Sequence, residues 1–319
     1  MLLILSDRLD THADRVISKL TIKYFRLNLD VKSLLKTIIT FENGVWKICF
    51  NGAEISSYEI TAVWLRRAYA ELTLEEQKLS QNDTNFKIWL GEWNSTLTGL
   101  YTSLKHLFWL NNISNALKGD NKYYQMQLAK EIGFEMPKTI VSNNKKDLVN
   151  FTKLHKDVIV KLMRQDLYED ESGKACGFYT NRINLDKIES FGNTDENPII
   201  LQNYIQKAYE VRYTVVGNKH FVCKIESQKS KIANEDWRRY DIAQTPHLAI
   251  NPPKEIKEKV DLLMAKMGLA YGALDFIVTP DGKWVFLEIN CSGQWLWIED
   301  LTGLAISLEI ANLLNKKGE

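Results

Sequence analysis

The sequence has few cysteines and no long apolar run. None of the four cysteines has the short spacing of a zinc site or a redox dithiol; they are Cys49, Cys176, Cys223 and Cys291. We expect them to be reduced and mostly structural. The apolar residues 1–5 are too few for a secretion signal and run directly into charged residues. No run approaches the roughly 18 apolar residues of a membrane span, so the predicted location is the cytoplasm.

An excess of charge of one sign is also lacking. The 41 Lys and Arg residues nearly balance the 40 Asp and Glu residues, and the formal charge of +1 argues against nucleic acid or membrane as a partner. No GxGxxG, GxxxxGK[ST] or Gly-x-Ser-x-Gly motif is present, and the five histidines show no paired ligand spacing. The sequence therefore gives no support to a Rossmann site, a Walker site or a serine nucleophile.

The patterns that are present indicate an α/β protein. The 319 residues are about twice the length of a ~150-residue domain. Residues 2–5 have the form of a buried parallel strand, residues 13–20 have helical spacing, and residues 74–117 have longer helical periods. Further strands are predicted at 46–50, 62–65, 138–141, 158–162, 199–204, 211–216, 221–225, 274–278 and 284–289, and further helices at 121–132, 253–267 and 301–314.

The last two predicted strands carry two carboxylates and an amide. They flank Asp281 and Gly282, a dipeptide suited to a two-residue type I′ hairpin, which sets Asp275 opposite Glu288. Asn290 shares the face of Glu288 because side chains two apart on a strand point the same way. Oxygen ligands without His or Cys favour Mg²⁺ or Mn²⁺. The pattern predicts a metal site, and its alternative is a solvent-facing polar stripe on an amphipathic hairpin.

Two groups of basic residues are candidate anion ligands. Lys161 ends an apolar strand before a loop that contains Gly173 and Gly177; a phosphate contact and an exposed hairpin loop are the two interpretations. Arg212 and the pairs Arg66-Arg67 and Arg238-Arg239 suit bidentate binding of carboxylate or phosphate, whereas each taken singly is typical of a surface ion pair.

A cysteine and two tryptophans near the predicted metal strands could each have a structural or a functional role. Cys291 is expected to pack beside the strand rather than to act as a nucleophile. Trp295 and Trp297 are interpreted as core residues, with stacking on a substrate as the alternative.

Taken in order, the motifs resemble those of ATP-grasp ligases. Asn121-Lys122 before a helix and GFEMPKT at 133–139 resemble the opening of that family, and LQNYI at 201–205 with EVR at 210–212 resembles its adenine and ribose contacts. LD at 274–275 and LEIN at 287–290 resemble its magnesium strands. The resemblance covers about residues 116–319. It implies an ATP-grasp fold with two lobes enclosing ATP, preceded by a small α/β domain.

Within that superfamily, the chain resembles the maturases of graspetides, the microviridin-like ribosomal peptides. The segments that carry this resemblance are VWLRR at 63–67, ES at 226–227, DWR at 236–238 and NCSGQW at 290–295. It implies a ribosomally made precursor peptide with a leader segment as partner. It also implies links from Asp or Glu side-chain carboxylates to Thr or Ser hydroxyls or to Lys amines, with ester links favoured.

The resemblance also implies the cofactors and the roles of individual residues. ATP and Mg²⁺ are expected, with Mn²⁺ as the alternative metal, and the implied metal ligands are Asp275, Glu288 and Asn290. The residues implied to contact ATP are Lys122, Lys161, Gln202, Asn203, Tyr204, Ile205 and Glu210. Arg212 is expected near the γ-phosphate. Arg238 and Arg239 are expected to hold phosphate or the acceptor carboxylate.

The predicted organisation has three parts: an amino-terminal α/β domain at 1–115, a central lobe at 116–205 and a carboxyl-terminal lobe with the metal strands at 206–319. A homodimer is left open. The alternative function is an ATP-grasp ligase that adds an amino acid to a protein or peptide. A phosphotransferase is the third candidate function, and a nucleotide-binding regulator without catalysis is the fourth.

Overall fold

The computed structural model describes residues 1–163, 168–169, 175–176, 180–190, 196–230 and 245–318. Its strands are β1 Leu2–Ser6, β2 Tyr24–Asn28, β3 Ile38–Glu42, β4 Val45–Phe50, β5 Ala53–Ser56, β6 Ala62–Leu65, β7 Phe108–Leu110, β8 Thr139–Ser142, β9 Val158–Lys161, β10 Tyr168–Glu169, β11 Ala175–Cys176, β12 Asn181–Ile183, β13 Ile199–Asn203, β14 Tyr209–Val216, β15 Lys219–Ile225, β16 His247–Ala249, β17 Tyr271–Val278 and β18 Trp284–Asn290. Its helices are α1 Thr11–Ile17, α2 Val31–Leu34, α3 Leu74–Asn82, α4 Thr84–Ser103, α5 Ile113–Gly119, α6 Lys122–Ile132, α7 Lys145–His155, α8 Leu185–Ser190, α9 Lys254–Met267, α10 Leu296–Thr302 and α11 Ile306–Gly318.

The first sheet is parallel, with the strand order β2-β1-β6-β7. All five residues of β1 are buried, as the apolar run at 2–5 predicts for a strand covered on both faces. Strands β3, β4 and β5 form a separate antiparallel meander. The turn between β4 and β5 contains Asn51 and Gly52, both with positive φ, as this dipeptide favours in a two-residue hairpin.

Two helical predictions are wrong in their extent. The segment 74–117 contains α3 and α4, but strand β7 then interrupts it before α5 begins. The short apolar run of β7 is compatible with either element and becomes a strand because it pairs with β6. The segment 301–314 is split between α10 and α11, because Gly303 ends α10 in the left-handed conformation.

Besides the short antiparallel pair β10-β11, two larger antiparallel sheets follow the amino-terminal part of the chain. The smaller has the order β12-β9-β13-β8, and with α7 and α8 it encloses its own apolar cluster around Leu148 and Leu201. The larger has the order β16-β15-β14-β17-β18, and its central strand β17 is buried along its whole length. Helix α9 packs on one face of the larger sheet, while α10 and α11 pack between its other face and the first sheet.

Helix α6 contacts the larger sheet at its edge strand β18. Asn121 caps the start of α6, and Gly133 ends it with a φ of 84°, as the sequence predicts. The division into 1–115, 116–205 and 206–319 stays a prediction. Among the described residues, no helix combines the length and the apolar character needed to cross a bilayer.

A buried asparagine joins the first sheet to the largest one. Asn111, after β7, donates from Nδ2 to the carbonyls of Tyr271 and Cys291, each at 2.8 Å. Its Oδ1 accepts from the backbone N–H groups of Ala270 and Tyr271, also at 2.8 Å. The side chain is 2% exposed, so all four bonds form away from bulk water.

We expect Asn111→Ala to lower the free energy of unfolding by about 3 kcal/mol, because it leaves several buried backbone groups without a partner. Urea denaturation measures this loss. Asn115→Ala is the matched control, since Asn115 makes one exposed bond to the Gly268 carbonyl, and its expected loss is below about 1 kcal/mol. Equal losses in the two variants would contradict the prediction.

Candidate functional site

The two predicted carboxylates lie opposite each other on β17 and β18. Asp275 pairs with Glu288 in the ladder, and Asn290 pairs with Ala273. The predicted two-residue turn is wrong, however. The loop is Pro280, Asp281 and Gly282, and of these only Gly282 has positive φ, at 84°.

A β-bulge restores the predicted pairing. Near the turn, Phe276 pairs with Phe286, while beyond the bulge Asp275 pairs with Glu288, so Leu287 has no partner on β17. A bulge sets two residues of one strand against one of the other. The longer turn and the extra residue therefore offset each other, and the carboxylates meet although the turn prediction was wrong.

Each carboxylate is paired with a basic side chain. Arg212 Nη1 lies 2.9 and 2.8 Å from the two oxygens of Asp275, and Arg212 Nη2 donates to the Gln294 carbonyl at 2.9 Å. Burial, the largest single effect, opposes the charge of Arg212, but Asp275, Tyr271 and Glu288 together outweigh it, so the pKa of Arg212 is raised. Lys122 Nζ donates to Glu288 Oε2 at 2.6 Å. Two adjacent carboxylates thus coexist because two cations face them.

Side chains from α6 and from the end of α5 hold the edge strand β18. Gln125, which is 3% exposed, donates to the carbonyl of Ile289 at 2.8 Å and accepts from its N–H at 3.1 Å. Asp120 accepts from the Cys291 N–H at 2.9 Å. These bonds lie on both sides of Asn290 and fix the strand that carries Glu288.

Two cavities meet at the carboxylates. The large cavity has a volume of about 770 Å³, and among the residues that line it are Lys122, Arg212, Asp275, Glu288, Asn290 and Gly293. The narrow cavity has a volume of about 60 Å³, and among the residues that line it are Lys161, Asn203, Tyr204, Ile205, Lys207 and Glu210. Asp275 and Glu288 line both cavities.

The narrow cavity has apolar walls and a polar end. Ile159, Ile277 and Leu287 supply apolar surface. Lys207 and Glu210 are both buried, and Lys207 Nζ donates to Glu210 Oε1 at 2.8 Å. This combination of apolar walls and a few fixed polar groups is typical of a small-molecule site.

Most of the predicted site residues lie at these two cavities, with three exceptions. The Gln202 side chain lines neither cavity in the structure and donates instead to Thr139 Oγ1 at 3.0 Å. Arg238 and Arg239 lie outside the described residues, as do Gly173 and Gly177.

Cys291, Trp295 and Trp297 have different environments beside the metal strands. Cys291 is 3% exposed and packs in the core, and burial raises the pKa of its thiol, which does not suit a nucleophile. Trp295 is fully buried, whereas Trp297 lines the large cavity.

The donor set at the carboxylates fits Mg²⁺. Mg²⁺ usually binds one or two protein carboxylates together with substrate phosphates, and Asp275, Glu288 and Asn290 provide two carboxylates and an amide oxygen at one cavity. Within the described part of the chain, no group of three or more His, Cys, Asp and Glu side chains is placed to hold a metal. Two carboxylates and an amide oxygen are donors that suit a metal also bound by a substrate phosphate.

Several residues at the site were missed from the sequence. Lys207 and Gln125 act through partners that only the tertiary structure brings near them. At Gly293, an added Cβ would lie 2.7 Å from the Ala273 Cβ and 2.9 Å from Arg212 Nη2. The glycine in NCSGQW was a visible signal for such a close approach, but the sequence does not identify what approaches it.

A buried ion pair lies behind the large cavity. Asp10 accepts from Arg66 Nε at 2.9 Å, and their side chains are 2% and 4% exposed. Burial, the largest single effect, raises the pKa of Asp10, but Arg66, together with hydrogen bonds from Ser6 and the Ala13 N–H, outweighs it and the resulting pKa is about 2. His12 lies nearby with its ring centroid 4.9 Å from that of Trp295, and burial, reinforced by Arg66, lowers the pKa of His12 to about 4.

These shifts predict a loss of stability in acid. The unfolded chain takes up a proton on His12 near its ordinary pKa of 6.5, whereas the folded chain does so only near 4. The contribution of neutral His12 to the free energy of unfolding is therefore fully present above about pH 6.5. It falls by at most about 1.4 kcal/mol per pH unit toward pH 4. Asp10 adds a further loss between its ordinary pKa of 3.8 and its folded pKa of about 2.

Urea denaturation at pH 7, 6 and 5 measures the first of these effects. We expect His12→Gln to flatten the pH dependence in this range, because the variant has no imidazole to protonate. The exposed His106 provides the control, and His106→Gln should keep the wild-type slope. If the stability of His12→Gln depended on pH as steeply as that of the wild type, His12 would not be the group responsible.

Two known domain families match this chain. The MvdD pre-ATP grasp domain matches residues 2–116, and the ATP-grasp domain of prokaryotic glutathione synthetase matches residues 121–289. The RiPP-associated ATP-grasp ligase of Chryseobacterium gregarium, solved with ADP and a leader and core peptide, is 31% identical, with a TM-score of 0.87. The alignment covers 100% of this chain and 97% of that one.

Two further proteins are similar to this chain. The macrocyclase MdnC of Microcystis aeruginosa, solved with the precursor peptide MdnA, is 26% identical, with a TM-score of 0.86 and 99% of each chain covered. A probable alpha-L-glutamate ligase of Histophilus somni is 24% identical over 221 residues, which are 67% of this chain and 69% of that protein.

Proposed function

Since this chain belongs to the ATP-grasp ligases, in the group of the RiPP-associated enzymes, we propose that it is a peptide macrocyclase of graspetide biosynthesis. Its proposed substrate is a ribosomally made precursor peptide with a leader segment. Asp or Glu side chains of that peptide are activated by ATP and joined to Thr or Ser hydroxyls or to Lys amines.

Membership in the family confirms the coarser predictions made from the sequence. The α/β class, the ATP-grasp fold and the preceding pre-ATP-grasp domain are confirmed. So are the ligase activity and the use of ATP with a divalent metal. The individual site residues, the domain limits, the cytoplasmic location and a homodimer remain proposals.

The observation that carries the proposal is the meeting of two cavities at Asp275 and Glu288. A reaction between a nucleotide and a second substrate requires two binding spaces that share the reacting phosphate. The apolar walls of the narrow cavity suit contact with a flat base. Its volume of about 60 Å³ is below the roughly 300–1,000 Å³ of ligand pockets, whereas the large cavity, at about 770 Å³, lies within that range. The shared carboxylates then mark the position of the γ-phosphate.

We assign the nucleotide to the narrow cavity. The adenine is proposed to lie between Ile159, Ile277 and Leu287, with the backbone of residues 203–205 along its edge. Glu210, held by Lys207, is proposed to accept a hydrogen bond from the ribose. Lys161 is proposed to contact a phosphate as a point charge. For Gln202 only a backbone contact is retained, because its side chain bonds to Thr139.

The phosphate end of the nucleotide is assigned to the shared residues. Asp275, Glu288 and Asn290 are the proposed ligands of Mg²⁺, which would supply charge neutralisation for the transferring phosphoryl group. Lys122 and Arg212 already lie against these carboxylates. They are proposed to orient the phosphates by electrostatic contact rather than by proton transfer.

The proposed reaction needs no nucleophile from the protein. A peptide carboxylate attacks the γ-phosphorus, ADP leaves, and an acylphosphate forms. A hydroxyl or amine then attacks the acyl carbon, and inorganic phosphate leaves. Cys291, the cysteine that follows Asn290, does not suit this role, since it is buried and its thiol has a raised pKa.

Mass spectrometry of the enzyme with ATP, Mg²⁺ and a candidate precursor tests the proposal. The candidate is the product of a neighbouring small reading frame rich in Thr and in Glu or Asp. Each ring removes one water from the peptide mass, and mild base then separates esters, which open, from amides, which persist. A gain of a glutamate residue would favour the activity named for the Histophilus relative, and a gain of phosphate would favour a phosphotransferase.

A further inference from the structure

The Arg66-Arg67 pair is not used by the proposed reaction, yet its two side chains differ sharply in environment. Arg67 contacts Asp7 and Glu71, and its side chain is 36% exposed. Arg66, which directly follows β6 of the amino-terminal sheet, is 4% exposed and bonds to Asp10 through two nitrogens, at 2.9 and 3.4 Å. Its Nη1 donates to the carbonyl of Ser292 at 3.2 Å.

Ser292 belongs to a short segment that directly follows Asn290, and we call residues 291–294 the cavity loop. The Cys291 carbonyl accepts from Asn111, and the next three carbonyls of this loop accept hydrogen bonds from three further side chains. Arg66 donates to Ser292, the Tyr271 hydroxyl donates to Gly293 at 2.6 Å, and Arg212 donates to Gln294 at 2.9 Å. The loop is thus held by side chains rather than by regular backbone pairing.

The loop and the reactive residues are tightly coupled. Ser292, Gly293 and Gln294 line the large cavity. Gly293 lies so close to Arg212 that an added Cβ would be 2.9 Å from its Nη2. A shift of the loop therefore displaces Arg212, which also holds Asp275.

We propose that Arg66 and Asp10 are positioning residues. Through them the amino-terminal domain holds the cavity loop, and thereby Arg212, in the conformation that the ligation step needs. This inference rests on the proposed function. Asp10 orients the guanidinium of Arg66 through a buried ion pair, and Ser6 Oγ donates to Asp10 at 3.0 Å. The remaining guanidinium nitrogen, Nη1, then holds the Ser292 carbonyl by a hydrogen bond.

The consequence concerns the fate of the acylphosphate. In ligation, a peptide hydroxyl or amine attacks its acyl carbon, the bond from that carbon to the phosphate oxygen breaks, and phosphate leaves. If water attacks the same carbon, the original carboxylate returns, and ATP has been converted to ADP and phosphate without a link. A misplaced loop admits water and misorients the nucleophile, so it favours the second outcome.

Arg66→Lys is the informative variant. Lysine keeps the positive charge beside Asp10 but cannot bond to both Asp10 and Ser292 as the planar guanidinium does. Arg66→Ala would leave Asp10 as an unpaired buried charge and is expected to unfold. Arg15→Lys is the matched control, because Arg15 pairs with Glu299 and Asp300 of α10 rather than with the cavity loop.

Hydrogen–deuterium exchange of the chain without substrate tests the positioning directly. In Arg66→Lys, amides in peptides spanning residues 288–297 are expected to exchange about tenfold faster, while those of β14 keep their wild-type rates. Arg15→Lys should match the wild type in both regions. A purely structural role of Arg66 would raise exchange in both regions together.

The second measurement is the number of ADP molecules released per ring formed, using the precursor identified by mass spectrometry. This ratio does not depend on the folded fraction. We expect it to rise from about one to about three or more in Arg66→Lys, since misorientation lowers the rate of the intramolecular step. Unchanged loop exchange or a ratio near one would overturn the inference. Failure of the wild-type enzyme to form rings would overturn the proposed function instead, with the exchange result still deciding the positioning.

Discussion

Glu288→Gln is expected to reduce ADP formation by about 10²–10³-fold, the range found when one preorganised electrostatic group is removed from a reaction site. The substitution removes one of the two carboxylates shared by the two cavities. The amide oxygen of glutamine can still accept from Lys122, which now bonds to Glu288 at 2.6 Å. The free energy of unfolding should therefore fall by no more than about 1 kcal/mol.

Asp275→Asn should cause a similar loss of activity together with a loss of stability. Arg212 is buried and holds both oxygens of Asp275. Removing one partner of a buried pair leaves an uncompensated charge and costs about 3–5 kcal/mol. The two carboxylate variants are thus expected to differ in melting temperature but not in catalytic defect.

A coupled ADP assay and thermal denaturation separate these effects. Glu258→Gln is the control, because Glu258 lies on the exposed side of α9, where it faces Lys254. Normal ADP production by both Glu288→Gln and Asp275→Asn would rule out the metal assignment. Equal melting temperatures of those two variants would contradict the structural role of the Arg212 pair.

The elements nearest the site were predictable because their signals are local. Alternating apolar residues and a turn dipeptide predict β17 and β18, and Asn121 with Gly133 marks the two ends of α6. The bulge at Leu287 has no comparable signal. The pairing of Asp275 with Glu288 was predicted correctly only because the missed bulge offset the misassigned turn.

The partners of the charged residues were not predictable, because strands distant in sequence bring them together. Arg212 faces Asp275 because β14 pairs not only with its sequence neighbour β15 but also with the more distant strand β17. Arg66 and Ser292 are 226 positions apart, and Lys122 and Glu288 are 166 apart. Composition indicates that such cations and carboxylates exist, but only the order of the strands determines which of them meet.

Arg212→Lys is expected to lower kcat by about 10²-fold or more, as for loss of an oriented electrostatic group. The guanidinium of Arg212 bonds to Asp275 with one nitrogen and to the Gln294 carbonyl with another. A lysine ammonium is a point charge on a flexible stem and cannot hold both partners in this planar arrangement. It retains the positive charge beside Asp275, so the fold is expected to persist.

Circular dichroism and steady-state kinetics on the same preparation distinguish orientation from charge. Arg8→Lys is the control, since Arg8 forms a half-exposed pair with Asp30. If charge alone mattered at position 212, lysine would sustain near-wild-type turnover. A loss confined to kcat, with the KM for ATP unchanged, would show that Arg212 acts in the transition state rather than in nucleotide binding, because uniform binding changes KM instead.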